Sequence, residues 1–404
     1  MAYRVIDLFA GVGGLSYGFA HDDDFEIIAA NEILEPMARA YCANHPTVKM
    51  YAKDIREFSI DDLTRDFGLR KGDVDVIVGG PPCQAYSTVG KRREDDPRGR
   101  LFTEYHRILK EVRPKLFVFE NVKGLLSMQR GELIKSIVAL FESIGYHVSV
   151  KLLNAADYGA PQIRERVILV GTLDGREFSF PKPTHYNPEL GIPAERTAPA
   201  AREESAEASD PASAIAGQTD STGTTSQTET ALKPYVTLGE ALGDLPSLKT
   251  GESATSYASE PQNDYQRLMR RNAPEELAEH EVPKNSDRLV AIMEALPDGG
   301  SPKDLPEELR PASGFANCYC RLWWNRPSTT ITRNLGCPSS SRCIHPKDPR
   351  PLSTREGARL QGFPDDYIFC GSRSDKHLQI GNAVPTLLSE ALKDAVRAHL
   401  KGSR

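Results

Sequence analysis

The chain has 404 residues, with 50 Lys and Arg against 56 Asp and Glu, so its formal net charge is −6. That balance excludes a polycation that coats nucleic acid by charge alone, yet it leaves room for a local basic face. Hydrophobic residues at 39% supply a large core, no apolar run reaches the roughly 20 residues of a membrane helix, and seven cysteines make no disulfide framework. The opening MAYRVIDLFAGVGG is no secretion signal, because Asp7 interrupts the apolar run and the glycines mark a turn. A reduced, cytoplasmic setting close to the nucleoid is expected.

The first part alternates β-branched runs with helical patterns, as a parallel α/β sheet does. YRVIDLF reads as the first strand, followed by a helix over 14–20. FEIIAAN is the second strand and 36–44 the second helix. VDVIVGG reads as a buried strand, and apolar spacing at Leu101, Tyr105, Ile108, Leu109 and Val112 predicts a helix over 102–112. KLFVFENV is another buried strand, 133–144 another helix, and HVSVKLLNA and RVILVGT are further strands. Residues 192–233 break the pattern. They are rich in Ala, Ser, Thr, Glu and Gly, and their acids exceed their bases by four, so most of the negative charge sits here. Such a composition buries too little apolar surface to order itself and is read as a disordered linker. From 235 to 350 the chain is rich in Pro, Gly, Ser and Asn, as in an irregular second lobe, and a last helix over 386–400 closes it.

Three segments carry chemistry. DLFAGVGG joins the first strand to the first helix, where glycines admit a ligand to the backbone. Its GxGG spacing does not match the pyrophosphate-binding GxGxxG, and Glu32, at the next strand end, suits ribose hydroxyls. A small adenosyl ligand therefore fits better than a dinucleotide. GGPPCQAYS puts Cys83 just past a strand end in a rigid loop, where a thiolate serves as nucleophile. Glu120 ends the next buried strand at the same sheet edge, as a proton donor with a raised pKa would. Arg164 and Arg166 in QIRERV are one residue apart and share a side of an extended segment. Cys318, Cys320, Cys337, Cys343 and His345 lack paired zinc-ligand spacing, so no metal is expected, and Trp323 and Trp324 read as packing residues.

In this order, DLFAGVGG, Glu32, GGPPCQAYS, ENV, QIRERV, REGARLQGFP and QIGNAVP resemble the DNA (cytosine-5) methyltransferase family of bacterial modification type. The resemblance covers residues 4–172 and 330–400. It implies a Rossmann-like α/β methyltransferase sheet with helices on both faces, plus a smaller irregular target recognition lobe. The implied division is 1–184 catalytic, 192–233 linker, 234–350 recognition and 351–404 a return that completes the catalytic domain. S-Adenosylmethionine would be the methyl donor. Phe9, Gly11, Gly13 and Gly14 would line it, Glu32 would take the ribose and Asp54 with Ile55 the adenine, while Pro82, Leu101, Asn382 and Ala383 complete the pocket. Cys83 would attack cytosine C6, Glu120 would contact N3, Arg166 would support both, and Arg164 would hold the base or a phosphate. Gln84, Ser87, Arg98, Thr332 and Arg333 would contact DNA, with 88–100 a mobile loop. The eleven bases against five acids over 310–376 would form a phosphate-binding surface. The partners implied are double-stranded DNA and a cognate restriction endonuclease, with the chain itself a monomer. A tRNA cytosine-5 methyltransferase and a catalytically silent DNA-binding regulator are the alternatives.

Overall fold

The computed structural model describes residues 2–82, 101–189, 232–311 and 317–402. Seven strands form one sheet: β1 (Tyr3–Leu8), β2 (Phe25–Asn31), β3 (Lys49–Tyr51), β4 (Val76–Gly79), β5 (Leu116–Val122), β6 (His147–Asn154) and β7 (Glu165–Thr172). Their spatial order is β3-β2-β1-β4-β5-β7-β6. The sheet is parallel except for β7, which runs antiparallel to both neighbours. The reason is chain length. Only residues 155–164 join β6 to β7, too few for the dozen or so residues of a parallel crossover, so the chain reverses and β7 inserts beside β5.

Both faces of the central strands are buried, which is why they read as continuous apolar runs. Ile77, Phe117, Phe119, Val167 and Leu169 pack on one face against α3 (Ile60–Phe67), α4 (Leu101–Val112) and α5 (Glu132–Glu142). Val76, Val78, Leu116, Val118, Ile168 and Val170 pack on the other against α1 (Tyr17–Ala20) and α11 (Thr386–Lys401). Leu388, Leu392 and Val396 supply the apolar stripe of α11. The chain's end thus docks beside its beginning.

Helix α1 is shorter than expected, starting at Tyr17 rather than at residue 14. Gly13 has φ +89°, and a Cβ on Gly14 would lie 2.5 Å from the Val384 carbonyl oxygen, so the backbone there is held in a turn against the return. The second lobe carries only short helices among the described residues: α6 (Leu238–Leu242), α7 (Asp264–Met269) and α8 (Asp287–Ala295). The return adds α9 (Thr354–Leu360) and α10 (Arg373–Asn382). A third core joins these parts, with Val12 and Met37 packed among Leu242, Tyr265, Met269, Leu360, Phe363 and Ile380. Most of the expected linker lies outside the described residues. Its last member does not: Lys233 pairs with His185 in a two-stranded ladder, β8 (His185–Tyr186) with β9 (Lys233–Pro234). Among the described residues no helix is long and apolar enough to cross a membrane.

Candidate active site

Strand register gathers the chemistry. Leu8 lies opposite Asn31 and Gly79, and Gly79 lies opposite Phe119. The glycine turn, Glu32, the Gly80–Pro81–Pro82 segment and Glu120 therefore leave the sheet at one edge, where open α/β sheets place ligands.

Glu120 is nearly buried, and its Oε1 lies 2.7 Å from Nε of Arg166. Burial pushes the Glu120 carboxyl up from its ordinary range, while the charges of Arg166 and Arg164 pull it back. The next residue holds the loop that leads to the cysteine: Asn121 Nδ2 donates to the Pro81 carbonyl at 3.1 Å. Gly80 lies against the acid, since a Cβ there would meet Glu120 Oε2 at 2.6 Å. So ENV both supplies the carboxyl and fixes Gly80 and Pro81 beside it. Cys83 itself, with Gln84, Ser87 and Arg98 and the expected mobile loop, lies outside the described residues.

Arg164 and Arg166 part company. Arg166 serves Glu120. Arg164 is 1% exposed, and its guanidinium donates to the carbonyls of Ile331 at 2.6 Å and Gly381 at 2.7 Å. It is spent on main-chain oxygens of the second lobe and the return rather than turned toward open space, so its geometry suits a tie between the start of β7 and those two segments more than a grip on a base or phosphate.

The glycine turn has a front and a back. Among the described residues, a Cβ on Gly11 would meet nothing within 4 Å, so they leave open space in front of it. Gly13 and Gly14 face protein: their Cβ positions lie 2.8 Å from His45 Nε2 and 3.1 Å from Ala383 Cβ. Phe9 enters the turn at φ +56°, a conformation that costs a side chain about 1 kcal/mol or more. Glu32 spans the front, accepting from the amides of Gly11 at 2.9 Å and Leu34 at 2.8 Å. The Ile33 amide also hydrogen-bonds it, and since a carboxylate has about four acceptor positions, room remains for a hydroxyl donor. Asn31, missed by sequence reasoning, donates to the carbonyls of Tyr51 and Lys53 and so brings the Asp54 segment beside Glu32. Ile33 was also missed. It is 58% exposed next to Glu32 and offers an apolar face to a flat ring.

Asp54 caps a short 3₁₀ turn and is held by Arg56, whose side-chain and backbone hydrogen bonds bring its carboxyl down to about 2. The Ile55 side chain belongs to the core, and its carbonyl accepts from the Phe58 amide at 3.2 Å and from Arg107 at 2.8 Å. Leu101 opens α4, Pro82 is half-buried, and Asn382 is exposed at the end of α10 beside buried Ala383.

Behind the turn lies Asp7, 1% exposed, with no hydrogen-bond partner for Oδ2 among the described residues. Burial pushes its carboxyl up to about 7, offset in part by hydrogen bonding from Ser16 and Tyr41. Because an unfolded Asp titrates near 3.9, the folded state holds this proton more tightly, so stability falls as pH rises from about 4 to about 7. Asp7→Asn is expected to remove that dependence, raising Tm by a few degrees at pH 8 and leaving it nearly unchanged at pH 5. Equal shifts at the two pH values in a thermal melt would contradict it.

Thr332 and Arg333 are exposed, and their backbone crosses Gly381, where a Cβ would collide with it. The basic stretch around them is not one surface. Arg321, Arg350, Arg355 and Arg359 are buried, and Arg350 and Arg359 pair with Asp348, Glu356, Asp244 and Asp365. Net charge along a chain does not say which side chains are spent internally. Trp323 and Trp324 are half-buried under Arg342 at 4.4 Å and Lys347 at 3.6 Å, as packing residues would be.

Comparison with known proteins places this geometry. A family model described as C-5 cytosine-specific DNA methylase matches residues 3–398. The type II methyltransferase M1.HphI of Haemophilus parahaemolyticus is 34% identical over 399 residues, covering 98% of this chain and 87% of that protein. M.AgeI of Thalassovita gelatinovora is 32% identical over 451 residues, covering 98% and 99%. Solved structures agree on the fold. A protein described as a prophage-encoded DNA modification methyltransferase of E. coli superposes with a TM-score of 0.71 at 22% identity, covering 99% of this chain and 100% of that one. The Dnmt2 methyltransferase of S. pombe does so at 0.56 and 16%, covering 98% and 99%. The chain therefore belongs to the C-5 cytosine-specific DNA methylase family and is a DNA (cytosine-5-)-methyltransferase.

Proposed function

We propose that the enzyme takes its methyl group from S-adenosylmethionine and delivers it to C5 of a cytosine turned out of duplex DNA, through a transient bond between Cys83 and C6. The observation that carries this reading is the Glu120–Arg166 pair, set against Gly80 at the root of the Cys83 loop. Cytosine C5 is a weak nucleophile. When the Cys83 thiolate bonds to C6, the ring's electrons shift toward C5 and N3. A carboxyl that shares a proton at N3 stabilises that charge, and the raised affinity of Glu120 for a proton suits it. The C5–methyl bond would then form as the donor's methyl–sulfur bond breaks, leaving S-adenosylhomocysteine; the C5 proton passes to a base, and the C6–sulfur bond breaks to restore the aromatic ring and the Cys83 thiolate. Turning the base out costs a few kcal/mol of stacking and pairing.

S-Adenosylmethionine supplies an electrophilic methyl group when bound. The front of the turn fits it: the described residues leave open space in front of Gly11, Glu32 has room left for a ribose hydroxyl, and Ile33 offers an apolar face. Asp54, Ile55, Pro82, Leu101, Asn382 and Ala383 surround that space in this reading. Residues 234–350 would read the DNA sequence, with exposed Thr332 and Arg333 at the approach to the return. In this reading the enzyme works as a monomer, and the type II designation of the relatives supports its pairing with an endonuclease of the same site. The test is incubation of the full chain with duplex DNA and S-adenosylmethionine, followed by bisulfite sequencing. Protected cytosines at one short motif are expected. Transfer to adenine, or to tRNA in place of duplex DNA, would overturn the reading.

A further inference from the structure

We infer that Tyr367 is a positioning residue for the methyl-donor turn, which it holds from behind. This inference rests on the reading that S-adenosylmethionine occupies the front of that turn. Tyr367 is 5% exposed and lies on the return between α9 and α10. Its hydroxyl donates to the carbonyl of Val12, the residue between Gly11 and Gly13. A Cβ on Gly13 would stand 3.2 Å from the same hydroxyl. Val384 packs on Gly14 and Ser389 donates to the carbonyl of Leu15, just past the turn, while three hydrogen bonds come from the turn's own neighbourhood: Glu32 on the Gly11 amide, Ala10 on the Gly13 amide and Ser16 on the Gly13 carbonyl. Among the described residues, Tyr367 alone hydrogen-bonds Gly11, Val12 or Gly13 from the far end of the sequence.

The segment that carries it is itself anchored on two sides. The Asp365 amide donates to the Met269 carbonyl of α7, and Asp365 binds Arg359. On the other side Asn44, at the end of α2 (Glu35–Asn44), exchanges hydrogen bonds with the backbone of Ile368. Residues 365–368 thus form a strap from the second lobe to the cofactor turn. The Tyr367 ring rests on Phe363, with centroids 4.5 Å apart, and near Phe369 at 5.5 Å. Tyr367→Phe keeps these ring contacts and removes only the hydroxyl, which leaves the Val12 carbonyl buried without its donor and frees the turn to relax.

The experiment compares Tyr367→Phe with Tyr265→Phe. Tyr265 also donates a buried hydroxyl to a carbonyl, that of Arg359, away from the turn. S-Adenosylmethionine affinity is measured by calorimetry on the full chain, with kcat and KM from methyl transfer to DNA. Loss of one buried hydrogen bond at the turn is expected to raise Kd and KM for S-adenosylmethionine about tenfold in Tyr367→Phe, with kcat within about twofold. Tyr265→Phe is expected to lower Tm comparably while binding the donor like the wild type. Wild-type affinity in Tyr367→Phe, or equal weakening in both variants, would overturn the inference. Failure of the wild type to bind S-adenosylmethionine would overturn the proposed donor site instead.

Discussion

Cys83→Ala is expected to transfer no methyl group, and Glu120→Gln to keep only roughly one part in 10² to 10⁴ of the wild-type turnover. The two losses differ in kind. Without the thiolate, C5 never gains the electron density to attack a methyl group. Without the carboxyl, the thiolate still reaches C6, but the charge arriving at N3 meets an amide that has no proton to share. The variant should stay folded, because glutamine keeps the shape that rests against Gly80 and can still accept from Arg166. The pH profile separates the roles. Cys83 must be deprotonated, so the rate rises with pH on the acid side. Glu120 must hold its proton, and burial keeps that proton on to higher pH than in a free glutamate, so the rate falls on the alkaline side. Glu120→Gln should lose the alkaline fall and keep the acid rise. Turnover close to wild type in Glu120→Gln, or an unchanged alkaline limb, would remove Glu120 from the chemistry.

Much of this site was legible in the sequence because strand ends are legible. Buried strands read as apolar runs, and the residue just past each run falls at the carboxyl edge of a parallel sheet. That logic puts Glu32, Glu120 and the Gly80–Pro82 segment that leads to Cys83 at one sheet edge. It did not reveal the antiparallel β7, although the short connection over 155–164 could have signalled it. Helices α9 and α10 were missed despite clear start signals: Ser353 and Glu356, then Ser372 and Asp375, form capping boxes. The arginines were the hardest to read. Arg333 is exposed while Arg350, Arg355 and Arg359 are buried, and nothing in their spacing distinguishes them. Their fate depends on Asp244 and Asp365, which only the fold brings together. Likewise Tyr367 and Val12 are 355 residues apart, and no local pattern links them.

Arg359→Met is expected to destabilise the second lobe by about 3–5 kcal/mol at neutral pH. Arg359 is fully buried and carries two buried carboxylates at once. Nε and one terminal nitrogen bind Asp365 at 2.9 and 2.6 Å, both terminal nitrogens bind Asp244, and one also donates to the Ala241 carbonyl at 2.9 Å. Asp244 sits just after α6 and Asp365 just after α9, so one guanidinium joins the lobe to the return. Removing it leaves two carboxylates buried together, with Arg270 as a partial partner of Asp244 at 3.3 Å, Arg355 of Asp365 at 3.7 Å, and the Tyr257 hydroxyl donating to Asp365 at 2.9 Å. The cost comes from those stranded charges more than from the lost attraction. Two results should follow. Protonation relieves a carboxylate buried without its partner, so lowering the pH toward 5 should recover stability of Arg359→Met relative to the wild type. The triple variant Arg359→Met, Asp244→Asn, Asp365→Asn should recover part of the loss at neutral pH, because both stranded carboxylate charges are gone and buried Arg355, 3.7 Å from Asp365 in the wild type, is what loses a partner. Urea unfolding at pH 5 and pH 7.5 measures both. If Arg359→Met unfolds within about 1 kcal/mol of the wild type at pH 7.5, Arg359 is not what holds the lobe to the return. If the triple variant recovers nothing, the loss came from packing, and the charges at Asp244 and Asp365 were not its source.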